Sequence, residues 1–172
     1  MAEPLARITR RADQAMIVIR GDLAVIGPAV ETATGLSLPA ATRRIIAGDR
    51  TVVWMAPDEL LVMLPPDDLA QVLAALDGAL ADHHALVADV SDMRAVFDIE
   101  GGAADQVLAK LSPTDFATLP RDGARRTRAA QVAVAYWPTG TGFRLVGFRS
   151  VADYLALLLQ NAALPGSHLD PR

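Results

Sequence analysis

Short apolar runs alternate along the first half of the chain with stretches of helical periodicity. Turn residues bound the apolar runs, which is typical of β-strands and predicts strands at residues 16–19, 45–46, 51–55, 60–64 and 86–90. Apolar positions recur at helical spacing over residues 22–33 and 66–80. Asp22 and Gly35 suit the N-cap and the C-cap of the first helix, although Pro28 predicts that this helix is short or broken.

The second half shows the same alternation. It predicts strands at residues 95–99, 132–137 and 143–148 and a helix at residues 103–111. Ser150 is predicted to cap a last helix that directs Tyr154 inward together with Val151, Leu155, Leu158 and Leu159. Residues 112–129 are interpreted as a long irregular stretch, and residues 164–172 as a loose tail.

The two halves repeat each other. Ile19-Arg20-Gly21 and Ile99-Glu100-Gly101 each lead from a strand into a helix. The sequence therefore predicts an α+β fold of two packed ferredoxin-like repeats (strand-helix-strand-strand-helix-strand), residues 1–90 and 91–172, in one compact domain. The second repeat runs out of chain before its final strand, so we expect an open sheet edge that a partner covers.

Composition and charge narrow the possible functions. The chain has 172 residues, is 52% hydrophobic and has a net charge of −4, which is typical of a globular protein without affinity for nucleic acid. No apolar stretch approaches the roughly 20 residues of a membrane span, and the start resembles no signal peptide, so we expect a cytoplasmic protein without membrane contact. The basic cluster of Arg125, Arg126 and Arg128 is interpreted as a solvated loop or as an anchor for carboxylates of a partner protein.

Residues with catalytic or ligand-binding chemistry are few. The chain has no cysteine, its three histidines lack ligands at metal-site spacing, and Gly140-Thr-Gly142 lacks the third glycine of a dinucleotide motif. We therefore expect no catalytic, metal-binding or cofactor-binding residues. Asp89 and Asp92 would suit an acid–base pair, although capping of a turn together with Ser91 is favoured. Buried tryptophan is usually a core residue, but Trp137 ends a strand before Pro138, which leaves half exposure as the alternative, and half-exposed tryptophan tends to mark interfaces.

Three segments resemble those of a known family. They are Trp54-Met-Ala-Pro-Asp-Glu-Leu-Leu-Val62, then Asp89-Val-Ser91 followed by Arg94, and Arg149-Ser-Val-Ala-Asp-Tyr-Leu155. Their order and spacing resemble heterotetrameric sarcosine oxidase gamma subunits from about residue 45 to residue 162. Asp89-Val-Ser-Asp-Met93 also resembles the Asp-x-Ser-His-Met segment of the folate-binding aminomethyltransferase fold. Asp92 replaces the histidine of that segment and the hairpin at residues 137–143 has no acid, so the resemblance implies the fold without the chemistry.

The resemblance implies a non-catalytic gamma-type subunit with a structural role. The family's complete oxidase demethylates sarcosine to glycine, produces hydrogen peroxide and passes the one-carbon unit to tetrahydrofolate. FAD, FMN, NAD and tetrahydrofolate are implied for the other subunits and none for this chain, and the large alpha subunit is its expected main partner. Arg94, Trp137 and Arg149 are the candidate partner-binding residues, and we expect Arg94 and Arg149 to matter more than the cluster at residues 125–128. A stand-alone folate-dependent one-carbon transferase and a small-metabolite-binding domain remain as alternatives.

Overall fold

A computed structural model describes residues 3–169 as an α+β fold of two antiparallel five-stranded sheets and four α-helices. The strands are β1 (Arg7–Arg11), β2 (Ala15–Arg20), β3 (Arg44–Ala47), β4 (Arg50–Ala56), β5 (Glu59–Leu64), β6 (Leu86–Asp89), β7 (Arg94–Glu100), β8 (Arg125–Ala129), β9 (Val132–Pro138) and β10 (Gly142–Phe148). The helices are α1 (Leu23–Thr34), α2 (Leu69–Leu80), α3 (Ala104–Ala109) and α4 (Ala152–Ala162).

The chain divides into two compact units whose boundaries differ from the predicted repeats. One unit spans Asp13–Asp92, and the other joins the residues before Asp13 to those from Met93 onward. The prediction that the first unit begins at residue 1 is therefore wrong, because the N-terminal strand β1 belongs to the second unit.

The unit that spans Asp13–Asp92 has the strand order β3-β4-β5-β2-β6. Its helices α1 and α2 share an apolar core with one face of this sheet. The predicted caps of α1 are confirmed, since the Asp22 carboxylate accepts from the Ala24 N–H at 2.9 Å and Gly35 is left-handed with φ 76°. The expectation of a short or broken helix is wrong, because α1 continues for 12 residues through Pro28.

The second unit has the strand order β1-β7-β10-β9-β8. Strand β1 runs antiparallel to β7 and takes the place beside it that β6 takes beside β2 in the other unit. The expected open edge is therefore wrong. No strand follows α4 in the described residues, and the chain supplies the missing strand from its own N-terminus.

The second unit corrects three predictions on local structure. The stretch interpreted as irregular contains the strand β8, so the arginine cluster lies on a sheet edge and not on a loop. The Ser150 side chain does not cap α4, because a 3-10 helix at Arg149–Val151 precedes it and its N-cap Val151 makes no side-chain cap bond. Tyr154 does not point inward, since 45% of it is exposed, whereas Leu155 and Leu159 are buried.

The tail after α4 is hydrogen bonded as far as the structure describes it. The Lys110 ammonium donates to the Ala162 carbonyl at 2.6 Å and to the Ser167 hydroxyl at 2.8 Å. The Leu169 N–H donates to the Gln106 side-chain oxygen at 3.2 Å. The expectation of a loose tail is therefore wrong up to Leu169, and residues 170–172 lie outside the described residues.

Candidate partner-binding surface

Two of the three predicted partner-binding residues lie at the same end of the second unit's sheet. Arg94 begins β7 and is paired in the antiparallel register with Phe148, the last residue of β10. The Arg94 guanidinium carbon lies 4.3 Å from the centroid of the Phe148 ring, within the range of a cation–π contact. Arg149 follows Phe148 directly and is exposed. Phe148 thus contacts the Arg94 guanidinium and is followed in the chain by Arg149.

Apolar side chains are exposed at this end of the sheet. Met93 is 57% exposed and Phe148 is 40% exposed. Alternation along β7 places Ala95 and Phe97 in the core shared with the helices, so Arg94 projects from the opposite face. Sequence reasoning missed Met93 and Phe148. The available signal was the strand pattern, which puts Phe148 on the same face as Arg94 and next to Arg149.

Trp137 does not join this surface. It lies in β9 opposite Arg144, toward the other end of β10, and only 1% of it is exposed. The half-exposed alternative is therefore wrong, and the interpretation as a core residue is confirmed. In the structure of this chain Trp137 offers no surface to a partner.

The basic cluster lies on the same sheet as Arg94. Strand β8 is an edge strand that carries Arg126 and Arg128, both exposed. Arg128 pairs with Ala133 of β9. The pairing of β9 with β10 ends with Gly147 opposite Val134, so Phe148, one residue further, lies level with Ala133. Arg94, Phe148 and Arg128 thus occupy one row across the sheet.

The carboxylate of Asp89 stabilises a turn. It accepts hydrogen bonds from the Ser91 N–H at 2.9 Å and from the Ser91 hydroxyl at 2.6 Å. The same hydroxyl accepts from the Met16 N–H at 3.0 Å and so ties the turn to β2. The Asp89-Val-Ser91 segment therefore has a structural role here, as favoured from the sequence, and both hydrogen bonds are accepted by one oxygen of Asp89, Oδ1.

A broad depression lies beside the hairpin between β9 and β10. Its volume is about 640 Å³, and it is lined by glycines at positions 101, 102, 140 and 142 and by Arg7, Glu100 and Thr141. The Glu100 carboxylate accepts from Arg7 at 2.8 Å and from the Thr141 hydroxyl at 3.3 Å. Each oxygen of the Glu100 carboxylate thus has a hydrogen-bond partner, and the hairpin at residues 138–142 has no acid.

Residues 3–169 hold neither a cluster of metal ligands nor a membrane-spanning helix. Within that range no three histidine, aspartate or glutamate side chains lie close enough together to hold a metal ion. None of the helices in the same range has the length and apolar character needed to cross a membrane.

Comparison with known proteins supplies a family. The sequence profile of the "Sarcosine oxidase, gamma subunit family" matches residues 20–164. The chain is 40% identical over 119 residues to "Sarcosine oxidase subunit gamma" of Corynebacterium sp. (strain U-96), a match that covers 65% of this chain and 56% of the relative. The protein of the same name from Corynebacterium sp. (strain P-1) is 35% identical over the same shares of both chains. This chain therefore spans about half the length of the curated relatives that it matches.

Two solved structures share the fold. Heterotetrameric sarcosine oxidase from Corynebacterium sp. U-96 in complex with pyrrole 2-carboxylate matches with a TM-score of 0.83 and 28% identity over 97% of this chain and 88% of the matched chain. Glycine cleavage system aminomethyltransferase T from Bartonella henselae matches with a TM-score of 0.69 and 15% identity over 92% of this chain and 46% of that one, which shows the fold alone. With the profile match extending over most of the sequence, this chain belongs to the sarcosine oxidase gamma subunit family.

Proposed function

We propose that this chain is a non-catalytic, structural subunit of a multisubunit sarcosine oxidase. The complete enzyme would demethylate sarcosine to glycine oxidatively and transfer the one-carbon unit to tetrahydrofolate. The observation that carries the proposal is the family match over residues 20–164, together with a fold shared with a chain of a heterotetrameric sarcosine oxidase. The contacts of Asp89 with Ser91 and of Glu100 with Arg7 give both carboxylates a structural role, which supports the structural part of the proposal.

The finer features of the fold and location belong to the same proposal. We propose that the two units are ferredoxin-like repeats, since each orders its strands in the same way around two helices. The second repeat would then be completed by β1 in place of a strand after α4. A cytoplasmic location is proposed with it, because a subunit resides where its enzyme works.

FAD, FMN, NAD and tetrahydrofolate are proposed to bind to the other subunits and not to this chain. The large alpha subunit is proposed as the main partner. Arg94 and Arg149 are proposed to contact it, because both lie beside exposed apolar side chains, Met93 and Phe148. Interfaces are enriched in arginine and aromatic residues in this kind of arrangement.

Co-purification tests the assembly role. The chain is tagged and expressed in its own host, and the proteins that accompany it are identified by mass spectrometry. We expect the other oxidase subunits in stoichiometric amounts, with flavin absorbance in the complex. The chain separated from them should be colourless after dialysis. A flavin band that stays with the separated chain, or a wild-type chain that purifies without oxidase subunits, would contradict the proposal.

Variants then test the residues. Arg94→Ala and Arg149→Ala should each weaken the association, whereas Arg10→Ala, on the exposed outer strand β1, is the matched control. Equal association of all three variants would refute the roles of Arg94 and Arg149 while leaving the subunit assignment intact. Titration of the separated chain with tetrahydrofolate addresses the alternative of a one-carbon transferase, for which saturable binding would be required.

A further inference from the structure

Lys110 is the only lysine of a sequence in which 16 residues are lysine or arginine. It lies at the C-cap position of α3 and is half-buried. Its ammonium donates to the Ala162 carbonyl, at the end of α4, at 2.6 Å and to the Ser167 hydroxyl at 2.8 Å. An ammonium is a compact charge with three donors, whereas a guanidinium is a wide planar fork. The one lysine of the chain therefore lies where two acceptors converge on a single point.

This ammonium holds the tail that follows α4, which we define as residues 164–169. The Ser167 hydroxyl, which accepts from Lys110, also donates to the Leu164 carbonyl at 2.7 Å and so closes the turn at the start of the tail. The tail contacts the Gln106 side chain of α3 as well, but the hydrogen bonds there are 3.2 and 3.3 Å long and exposed to solvent. Lys110 thus makes the shorter and better protected connection between α3 and the tail.

The surroundings of Lys110 also favour chemistry at its amine. Only the neutral amine, with its free lone pair, attacks an electrophile. Burial lowers the pKa of Lys110, and within residues 3–169 no carboxylate forms an ion pair that would offset this effect. The side chain is only half-buried, so part of it remains accessible to solvent. A lysine of this kind has a larger neutral fraction than a fully hydrated lysine at the same pH.

We propose that Lys110 is a site of N-acylation and that its acylation releases the tail from α3 and α4. The co-substrate is an activated acyl group, an acyl phosphate or an acyl thioester. The neutral amine attacks the acyl carbonyl, a C–N bond forms while the bond from carbon to the leaving oxygen or sulfur breaks, and the displaced proton passes to water. The amide product is uncharged and has one N–H in place of three, so it cannot donate fully to both Ala162 and Ser167. This inference is independent of the proposed assembly.

A purely structural role, in which the lysine charge stabilises the end of α4, makes a different prediction. Hydrogen bonding would then protect the ammonium, and Lys110 would react more slowly in the folded chain than in the unfolded one. The first experiment incubates both states with acetyl phosphate and, in a second arm, with acetyl coenzyme A. Peptide mass spectrometry measures the acetylation of Lys110 relative to that of the chain's α-amino group. We expect at least about twofold faster acetylation in the folded chain with one or both donors, and equal or slower acetylation with both donors would overturn the inference.

The second experiment measures amide hydrogen exchange in the tail before and after acetylation of the folded chain. Exchange at residues 164–169 should accelerate by about tenfold, because two hydrogen bonds from a charged donor are lost, while exchange in β5 of the other unit should not change. Lys110→Gln should reproduce this effect, and Gln106→Ala, which removes only the exposed contact of the tail, should have a smaller one. If Lys110→Gln does not fold, the wild-type chain that was acetylated after folding still decides the question. Unchanged exchange in the tail of the acetylated chain would overturn the inference.

Discussion

Replacement of Gly142 by alanine should destabilise the second unit strongly. Gly142 begins β10 and is paired with Glu100 at the end of the central β7–β10 ladder. A Cβ atom at this position would overlap the carbonyl oxygen of Ile99 and would lie 3.2 Å from the Cβ of Ala104. The nearest of these neighbours is backbone of the paired strand β7, so it cannot move aside by a side-chain rotation.

The magnitude follows from the cost of overpacking. Forced insertion of a methyl group into a well-packed site costs about 1–3 kcal/mol, and a backbone clash places Gly142→Ala at the upper end, about 3 kcal/mol. For a protein of 150–250 residues, each kcal/mol lowers the Tm by about 2–4 °C, so a decrease of about 6–12 °C is expected. Gly140 is in the same hairpin, and a Cβ there would meet no atom within 4 Å. Gly140→Ala should therefore change the stability by less than about 0.5 kcal/mol.

Thermal unfolding followed by circular dichroism compares the two variants with the wild type under identical conditions. Both substitutions add one methyl group, but Gly142 also has φ +157°, where a side chain strains the backbone, so the difference between the two variants combines that strain with the clash against Ile99. If the Tm of Gly142→Ala lies within about 2 °C of that of Gly140→Ala, the argument from close backbone approach is wrong.

Three further predictions concern contacts elsewhere in the chain. Ser91→Ala removes the acceptor of the buried Met16 N–H and should cost about 1–3 kcal/mol in urea unfolding; an unchanged midpoint would contradict the role of the turn. Ile8→Asp places a charge on β1 against the core and should accelerate amide exchange in β7 but not in β5 of the other unit; equal protection of β7 in both proteins would show that β1 is dispensable. Burial lowers the pKa of Lys110 from 10.5, so the unfolded chain holds this proton more tightly than the folded one. The wild type should therefore gain stability, relative to Lys110→Met, as the pH rises from the lowered pKa to 10.5, and parallel stability curves for the two proteins would refute this linkage.

Two kinds of element were predictable from the local sequence pattern: strands that are buried on both faces, and helices with clear cap residues. Strand β5 is buried along its whole length, and its apolar run stands out between turn residues. Helix α1 was detected through its caps, but its continuity through Pro28 was not. A proline inside a helix costs about 3 kcal/mol, and burial of Ile26 and Val30 in the core offsets that cost.

The edge strands β1 and β8 were missed for a common physical reason. Each carries three arginines in five residues and hence lacks the apolar alternation of a central strand. Charged residues on edge strands prevent unwanted pairing between sheets. The same charges remove the apolar alternation by which a strand is recognised in the sequence. Strand β1 also pairs with a segment some 90 residues away, and no local signal specifies such a pairing.

Only part of the candidate partner-binding surface could be predicted from the sequence. Arg94 and Arg149 were selected through family-like segments, and the structure places the Arg94 guanidinium over the ring of Phe148, which Arg149 follows in the chain. The half-exposed alternative for Trp137 rested on a strand end before a proline, whereas the tertiary structure buries this side chain. Arg128 was ranked below them because its place in the row depends on the register of three strand pairs, which becomes known only from the fold.

The N-terminal strand changes where a partner is expected to bind. An open edge beside β7 would expose its backbone N–H and C=O groups and the apolar side chains of the core that it borders, so a partner strand would be the natural cover. Strand β1 already fills that place over the full length Arg7–Arg11, and the Arg7–Glu100 and Arg11–Asp98 ion pairs extend along it. A partner that added a strand there would have to displace five residues and both ion pairs. The exposed Met93 and Phe148 side chains, with their surrounding arginines, can be covered without the loss of any strand pairing, which favours that end of the sheet as the interface.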